Sequence, residues 1–521
     1  MHDRNLVFQD GEYSTGRRVI YTPYLSASMV KDIDNFDVNL IIDESNIVDI
    51  LNDMFKIHLM NEKEIIKLSN YYLGKQPILD RVKVVRPDIN NKTVMNYAYS
   101  ITRQINGYAF GKPVVYAQRT QGKDEVIQVL NDMMEEIDKH SIDLSCGENR
   151  SIYGTSFISC LPSVSVVGAD ENIPFNIQEL DATNTMVAYY TGNSDVPVIA
   201  VTYYLSKFAN NECYYIKAYT KDNIYTFRTA AIKNSLFTIN AKDLIASKPN
   251  ILGEIPIIEY PNNKWRIGDW EVAMAIFNAI NNLVSDNVND VQQFVSSILV
   301  LINAELPENE EIDPLTNESV TVVDYTSVAK GILSLINEQG YNTDAKYISK
   351  QLDSSSIKTL SSLLKEAYAI ICGIPDRKTN NNTGGDTGEA VSKRDGWDDM
   401  DILANSKESW YKKSEKRLLK LILKILSIDN YEIDDLSIDD ISIKFNRNKS
   451  DNLTMKANFI STMVGTNKFD IQDVIELAAI TTDSKSMAER GEAYQKAHAQ
   501  ETQETKVSKV DENIKVSETK D

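Results

Sequence analysis

Cysteine, histidine and net positive charge are all scarce in this chain. The four cysteines, Cys146, Cys160, Cys213 and Cys372, include no CxxC pair. Neither a disulfide framework nor a cysteine zinc site is therefore expected, and a reducing compartment fits. The four histidines, His2, His58, His140 and His498, are far apart in sequence, which argues against a histidine metal site. Lysine and arginine total 55 against 75 aspartates and glutamates, a net charge of −20. Such a chain repels phosphate as a whole. That argues against a dedicated DNA-gripping domain, which carries a basic patch or stripe, but not against a surface that DNA passes without sticking. No apolar run approaches the ~20 residues of a membrane span. The opening MHDRNLVFQDGEYSTGRR lacks the apolar core of a signal peptide.

Catalytic signatures are missing too. There is no G-x-S-x-G elbow, no H-E-x-x-H and no cysteine with an evident histidine partner. The stretch GYAFGKP at 107–113 brushes against a phosphate-binding loop, G-x-x-x-x-G-K-[ST]. Its glycine spacing is one residue short, and Pro113 stands where a metal-binding hydroxyl belongs. The expected order is helix, turn, strand, so the helix presents its C-terminal end to the turn, the wrong pole for an anion. Gly107 is expected to cap the helix, with Gly111 and Pro113 turning the chain into a strand. Acidic clusters such as DDMD and EIDDLSIDD read as solvated loops. No enzyme activity, cofactor or metal is expected.

What is present is a chain of 521 residues, enough for two to four domains. Apolar spacing predicts helices over 47–68, 94–105 and 124–139. Residues 150–260 hold short β-branched and aromatic runs separated by Asn, Asp and Gly clusters, a mostly antiparallel region. A helix of about seven turns follows, with Asp269 as its N-cap and apolar steps through Ile276, Ile280, Leu283, Val288 and Val291. Its other face carries Asn278, Asn281, Asn282, Ser285, Asp286, Asn289 and Gln292, with no lysine or arginine. A second apolar-striped helix runs from Asp353 or Ser354 to Gly373. The loop DRKTNNNTGGDTGEAVSKRDG is too glycine- and asparagine-rich for a helix or core strand, and a loop of that length is usually functional or disordered. A long helix is expected from Glu389 to Leu426, a strand at ISIKFNR, then helices near Thr454–Met463 and Ile471–Ala479. Beyond Tyr494 the composition is that of a disordered tail.

Several of these segments, in this order, resemble the portal proteins of tailed bacteriophages, in particular those of siphoviruses of Gram-positive hosts. NYYLGKQPI followed by NGYAFGKPVVY, the junction IPIIEYPNNKWRIGDWE leading into the long helix with SDNVNDVQQF, LSSLLKEAYAIICGIPD with its glycine-rich loop and GEAVSKR, and IKFNRNKSDN carry the resemblance from about Asn70 to Ala479. It implies an α+β portal fold that forms a ring. Its parts would be an N-terminal extension (1–45), a wing (46–268), a stem helix (269–298), a small αβ clip (299–350), a second stem helix (351–375), a tunnel loop (376–395), a wing helix and strand (396–450), a crown (451–490) and a disordered tail (491–521). By resemblance the ring is a dodecamer at a capsid vertex. It contacts the major capsid and scaffolding proteins, docks terminase and then head–tail adaptors, and passes double-stranded DNA without reading its sequence. It would be found in the virion, and in host cytoplasm during assembly.

The residues expected at the channel follow. In the tunnel loop they are Lys378, Asn380, Asn381, Asn382, Thr383, Gly384 and Gly385. On the stem they are Asn281, Ser285, Asp286 and Asn289, an uncharged or acidic lining that gives a duplex no counterion-releasing grip. Ile276, Ile280, Leu283 and Val291 are expected to pack between subunits. Two other readings of the sequence stand beside this one: a non-viral oligomeric scaffold or adaptor, and a nucleotide-binding enzyme.

Overall fold

The computed structural model describes residues 42–84, 87–120, 122–163, 173–189, 196–208, 211–230, 238–295, 354–375, 397–428, 436–447, 453–466 and 468–478, with short strand segments between 298 and 348 and a few residues between 487 and 496. The chain divides into two compact units. One takes in Ile66–Ile101 and Asp269–Met400. The other takes in Thr102–Gly268, Asp401–Asp521 and the described residues up to Ile65.

Helix α1 (Ile47–Tyr72) has its residues up to Ile65 in the second unit, where its apolar stripe lies over a five-stranded antiparallel sheet. The strands run in spatial order β4 (Thr185–Tyr189), β5 (Pro197–Phe208), β6 (Asn211–Thr220), β7 (Asn223–Ala230) and β8 (Leu244–Pro249). Ile47, Leu51 and Phe55 meet Val201, Ile216 and Phe227 in one core. Consecutive strands lie side by side and antiparallel, a meander, as the alternating sequence predicts, and β6 and β7 are joined by the short polar turn Lys221-Asp222. A second core gathers α2 (Tyr97–Phe110), α3 (Asp124–Glu136), α4 (Lys139–Tyr153) and α7 (Trp397–Ile428) around a three-stranded sheet. That sheet is β3 (Phe175–Leu180), β2 (Thr155–Pro162) and β9 (Ile257–Pro261), with β1 (Val115–Gln118) paired to β16 (Ile441–Lys444) nearby.

Two expectations change here. The helix predicted over 124–139 is two helices, broken at Asp138, whose φ of 51° is left-handed. The helix at 94–105 begins later and runs through Gly107 to Phe110, so Gly107 is a helical residue and the turn is made by 111–113.

The first unit is built on α5 (Met274–Val295) and α6 (Ser354–Cys372). Tyr368 of α6 meets the rings of Phe277 and Tyr97 at 5.5 and 4.7 Å between centroids, and Tyr71 stacks on the fully buried Trp270. Between the helices the chain folds back on itself as nested antiparallel pairs: β10 (Ile298–Ile302) with β15 (Asp344–Ile348), β11 (Ala304–Glu305) with β14 (Ile336–Asn337), and β12 (Glu308–Ile312) with β13 (Ser319–Val323). The described residues of this insert are all strand. In the second unit, the helices expected near 454–463 and 471–479 are α8 (Leu453–Gly465) and α9 (Ile471–Ala478).

Candidate functional site

Helix α5 carries a ladder of side-chain acceptors. Asn281, Ser285 and Asn289 lie four residues apart on one face, and each accepts a hydrogen bond from a backbone N–H of the strap that precedes α2. Met95 N–H donates to Asn281 Oδ1 at 2.8 Å, Thr93 N–H to Ser285 Oγ at 2.9 Å and Asn91 N–H to Asn289 Oδ1 at 2.7 Å. The match is metric. Four residues of helix rise about 6 Å, and two residues of extended chain advance about 6.6 Å, so alternate amides of the strap meet successive turns of the helix. The ladder is closed by Asn281 Nδ2 donating to Gln76 Oε1 at 2.5 Å and by Asn91 Nδ2 donating to Gln292 Oε1 at 2.7 Å. Asp286 accepts from Arg81 at 2.8 Å.

This corrects the expected stem lining. Asn281 and Ser285 are 0% exposed and Asn289 is 3% exposed, so these three side chains hold the strap within the chain and do not face open water. A polar stripe on a helix reads as solvent-facing only while no other segment needs its acceptors; here extended backbone needs them. Asp286 stays exposed. With Ala275, Ala279 and Asn282 it forms the uncovered face of the helix; the helix itself adds no lysine or arginine there, but Arg81 and Lys83 of the strap stand 2.8 and 3.8 Å from Asp286.

The residues expected between subunits also divide. Ile280 is fully enclosed inside its own chain, which corrects that assignment; Ile276 and Leu283 are half-buried, and Val291 is 48% exposed. Helix α6 leaves far more apolar surface open: Leu360, Leu363, Ile370 and Ile371 are 45, 61, 74 and 49% exposed. Monomeric proteins rarely leave such rows uncovered. The tunnel-loop residues Lys378, Asn380, Asn381, Asn382, Thr383, Gly384 and Gly385 lie outside the described residues, as do 1–41 and most of the tail.

GYAFGKP is the end of α2 and the turn into β1. The helix C-terminus precedes Gly111-Lys112, so the carbonyl pole and not the amide pole faces the turn, which is no cradle for phosphate.

Reading the sequence missed the ionic clusters buried in the second unit. Lys139 ion-pairs with Asp143 and with Glu415 (3.2 Å), all three nearly sealed from water. Tyr116 and Tyr260 donate to the two Glu415 oxygens at 2.5 and 2.7 Å, and Tyr411 donates to Asp143. Burial pushes the Asp143 carboxyl up to about 6 against the pull of Lys139. Burial also works to lower the Lys139 ammonium, but the two carboxylates outweigh it and the net shift is upward. Glu259 is gripped by Arg266 through Nε at 2.5 Å and a terminal nitrogen at 2.8 Å. Burial opposes the Glu259 charge, yet that bidentate pair and the hydroxyls of Tyr189 and Thr155 hold its carboxyl below the ordinary value. Both clusters join several elements and pair their charges internally, so they read as ties. The one sequence signal was polar residues at core-facing spacing in the 139–153 segment.

Among the described residues no helix is long and apolar enough to cross a membrane, and no group of three or more His, Cys, Asp or Glu is placed to hold a metal ion. No curated protein matches the sequence. Two solved structures are among those that match. The neck of an empty GTA particle computed with C6 symmetry has 9% identity and a TM-score of 0.37, with 74% of this chain and 90% of that chain covered. The neck of a native GTA particle computed with C12 symmetry has 10% identity and a TM-score of 0.37, with 74% and 89% covered. The family model described as phage portal protein, SPP1 Gp6-like, matches residues 51–505. That span takes in both units, the α5 ladder and the exposed face of α6, and the chain belongs to the SPP1 Gp6-like phage portal protein family.

Proposed function

We propose that copies of this chain close into a ring that forms the DNA conduit at one vertex of a phage capsid. The family match over residues 51–505 carries the reading. The open apolar row on α6 supports it, since a head-to-tail ring needs a surface that its own chain leaves uncovered. The nested strands at 298–348 form the clip, which docks the terminase motor during packaging and head–tail adaptors afterwards. The helices after Asp451 form the crown, and the ring meets capsid and scaffolding proteins at its rim. The chain is a structural channel, with the motor supplying the energy.

Within that ring the lining from α5 is reassigned to its uncovered face, Ala275, Ala279, Asn282 and Asp286. Small side chains, with Asp286 holding Arg81 and Lys83 in ion pairs, leave phosphates little to exchange for their counterions. Residues 376–395 form the tunnel loop, with Lys378 and Asn380–Asn382 touching the DNA backbone.

Mass photometry with negative-stain imaging tests the reading. Twelve copies of a 58.8 kDa chain make a ring of about 700 kDa with a central hole. A protein that stays monomeric at every concentration and salt tested overturns it. Deleting Asn380–Gly385 is expected to leave the ring intact and impair DNA packaging or retention; normal packaging removes the tunnel-loop role.

A further inference from the structure

The strap and the helices α5 and α6 lie in the first unit and form a layer with two unlike flanks. Phe277, in the first turn of α5, meets Tyr368, near the end of α6, and the far ends of the helices are joined through the paired strands β10 and β15. The helices therefore run antiparallel. Successive helical residues turn by about 100°. Counted from Phe277, Asn281, Ser285 and Asn289 fall about 40–120° to one side of the contact with α6, beneath the strap. Ile276 and Leu283 fall about 100–120° to the other side. The same count from Tyr368 in an antiparallel partner puts Leu360, Leu363 and Ile370 on that second, open flank. Ala279 and Asp286, between the flanks, point away from α6.

Both flanks show apolar side chains to water. On the open flank these are the exposed residues of the α6 row. On the strap flank, Arg81 and Lys83 turn inward to Asp286 at 2.8 and 3.8 Å. In extended chain the alternate residues turn the other way, and Val82 and Val84 are 83 and 93% exposed. The two surfaces also match in height. Asp286 is nine residues on from Phe277, and nine residues back from Tyr368 is Thr359. Leu360 and Leu363 therefore stand level with Asp286 and the strap valines.

Resting on the ring reading, we propose that Val82 and Val84 of one copy pack on the open flank of the next copy, over Leu360 and Leu363. A cyclic ring rotates each copy without raising it, so surfaces at one height meet surfaces at the same height. With Ala279 and Asp286 toward the bore, the strap flank of each copy faces the open flank of its neighbour. The contact is head to tail: unlike surfaces meet, and each copy uses both. Covering exposed valine and leucine side chains supplies the drive.

Cysteine cross-linking of the full chain tests this, in a Cys213→Ser background because the other three cysteines are buried. Val82→Cys, Leu363→Cys and the double variant are checked for rings by mass photometry and treated with a short bismaleimide. The double variant is expected to give a ladder of covalent multimers in denaturing gels, and each single variant only monomer, because a head-to-tail contact brings unlike positions together. Val82→Asp combined with Val84→Asp is expected to abolish rings and leave the subunit's melting unchanged, since both positions are exposed. Rings that yield no ladder from the double cysteine variant, or that persist in the double aspartate variant, overturn the contact and leave the ring reading standing. Covalent dimers from Leu363→Cys alone assign the α6 row to a two-fold contact and overturn it as well. A chain that forms no ring removes the ring reading and the contact together.

Discussion

The backbone N–H of Met95 donates to the side-chain oxygen of Asn281 at 2.8 Å, and the same asparagine donates to Gln76 at 2.5 Å. One buried amide on a helix thus fixes both ends of the strap that joins α1 to α2. With Ser285 and Asn289 it makes a helix serve an extended segment as a neighbouring strand would.

Asn281→Ala is expected to lower stability by about 1–3 kcal/mol, because it strands the buried Met95 N–H donor and the Gln76 side-chain oxygen together. Asn282→Ala, one position along and exposed, is expected to stay within about 0.5 kcal/mol of the parent. Thermal unfolding of the two variants checks this. Equal melting temperatures would mean the ladder contributes nothing to folding.

Leu363→Asp and Ile370→Asp, at the most exposed positions of the α6 row, are expected to abolish ring formation while leaving the subunit's circular dichroism and melting unchanged. Ile280→Asp, by contrast, buries a charge inside one chain and is expected to unfold it. Light scattering after size exclusion separates the cases. Intact rings from both α6 variants would move the subunit contact elsewhere.

Much of the fold was legible wherever burial and polarity agreed. The stripe Ile47, Ile50, Leu51, Met54, Phe55 announced α1, and the alternating tyrosine-rich runs of 150–260 announced the meander, because their apolar faces do pack on the core. Reading failed where polar groups go inside in mutual satisfaction. Lys139, Asp143 and Arg150 are among the most buried residues of α4, a helix the pattern concealed. Asn281, Ser285 and Asn289 looked solvated for the same reason. Periodicity tells which residues share a face; it does not tell which backbone amides in a distant segment will need them. Gly107 misled differently: a glycine near a helix end reads as a cap, yet the helix here has three more residues, and Phe110 at its end belongs to the core.

Arg266 holds a left-handed backbone, φ 54°, while forming the bidentate pair with Glu259. Arg266→Ala is expected to cost about 3–5 kcal/mol, because Glu259 is left as a buried, unpaired charge. Arg266→Gly loses the same pair but relieves the strained backbone, so it is expected to be about 1 kcal/mol less damaging than alanine. Urea denaturation of both checks the ordering. A glycine variant no better than alanine would mean the φ carries no strain.

Two buried groups make stability respond to pH in opposite directions within one unit. Burial raises Asp143 from 3.8 to about 6, so the folded state binds the extra proton; that stability is complete below about pH 3.8 and is lost as pH rises through 6. Burial lowers His58 from 6.5 to about 4, against the Thr183 carbonyl that accepts from its Nε2 at 2.7 Å. The unfolded state then binds the extra proton, so stability is present above pH 6.5 and is lost as pH falls towards 4. The two slopes oppose each other between those limits, and each masks the other in the parent protein. Asp143→Asn is expected to turn the pH slope of stability more positive than the parent's over that range, and His58→Gln to turn it more negative. Denaturant unfolding at half-unit steps reads both slopes. Parallel curves for parent and variants would show that neither group changes its proton affinity on folding, because the linkage has no other source at these two positions.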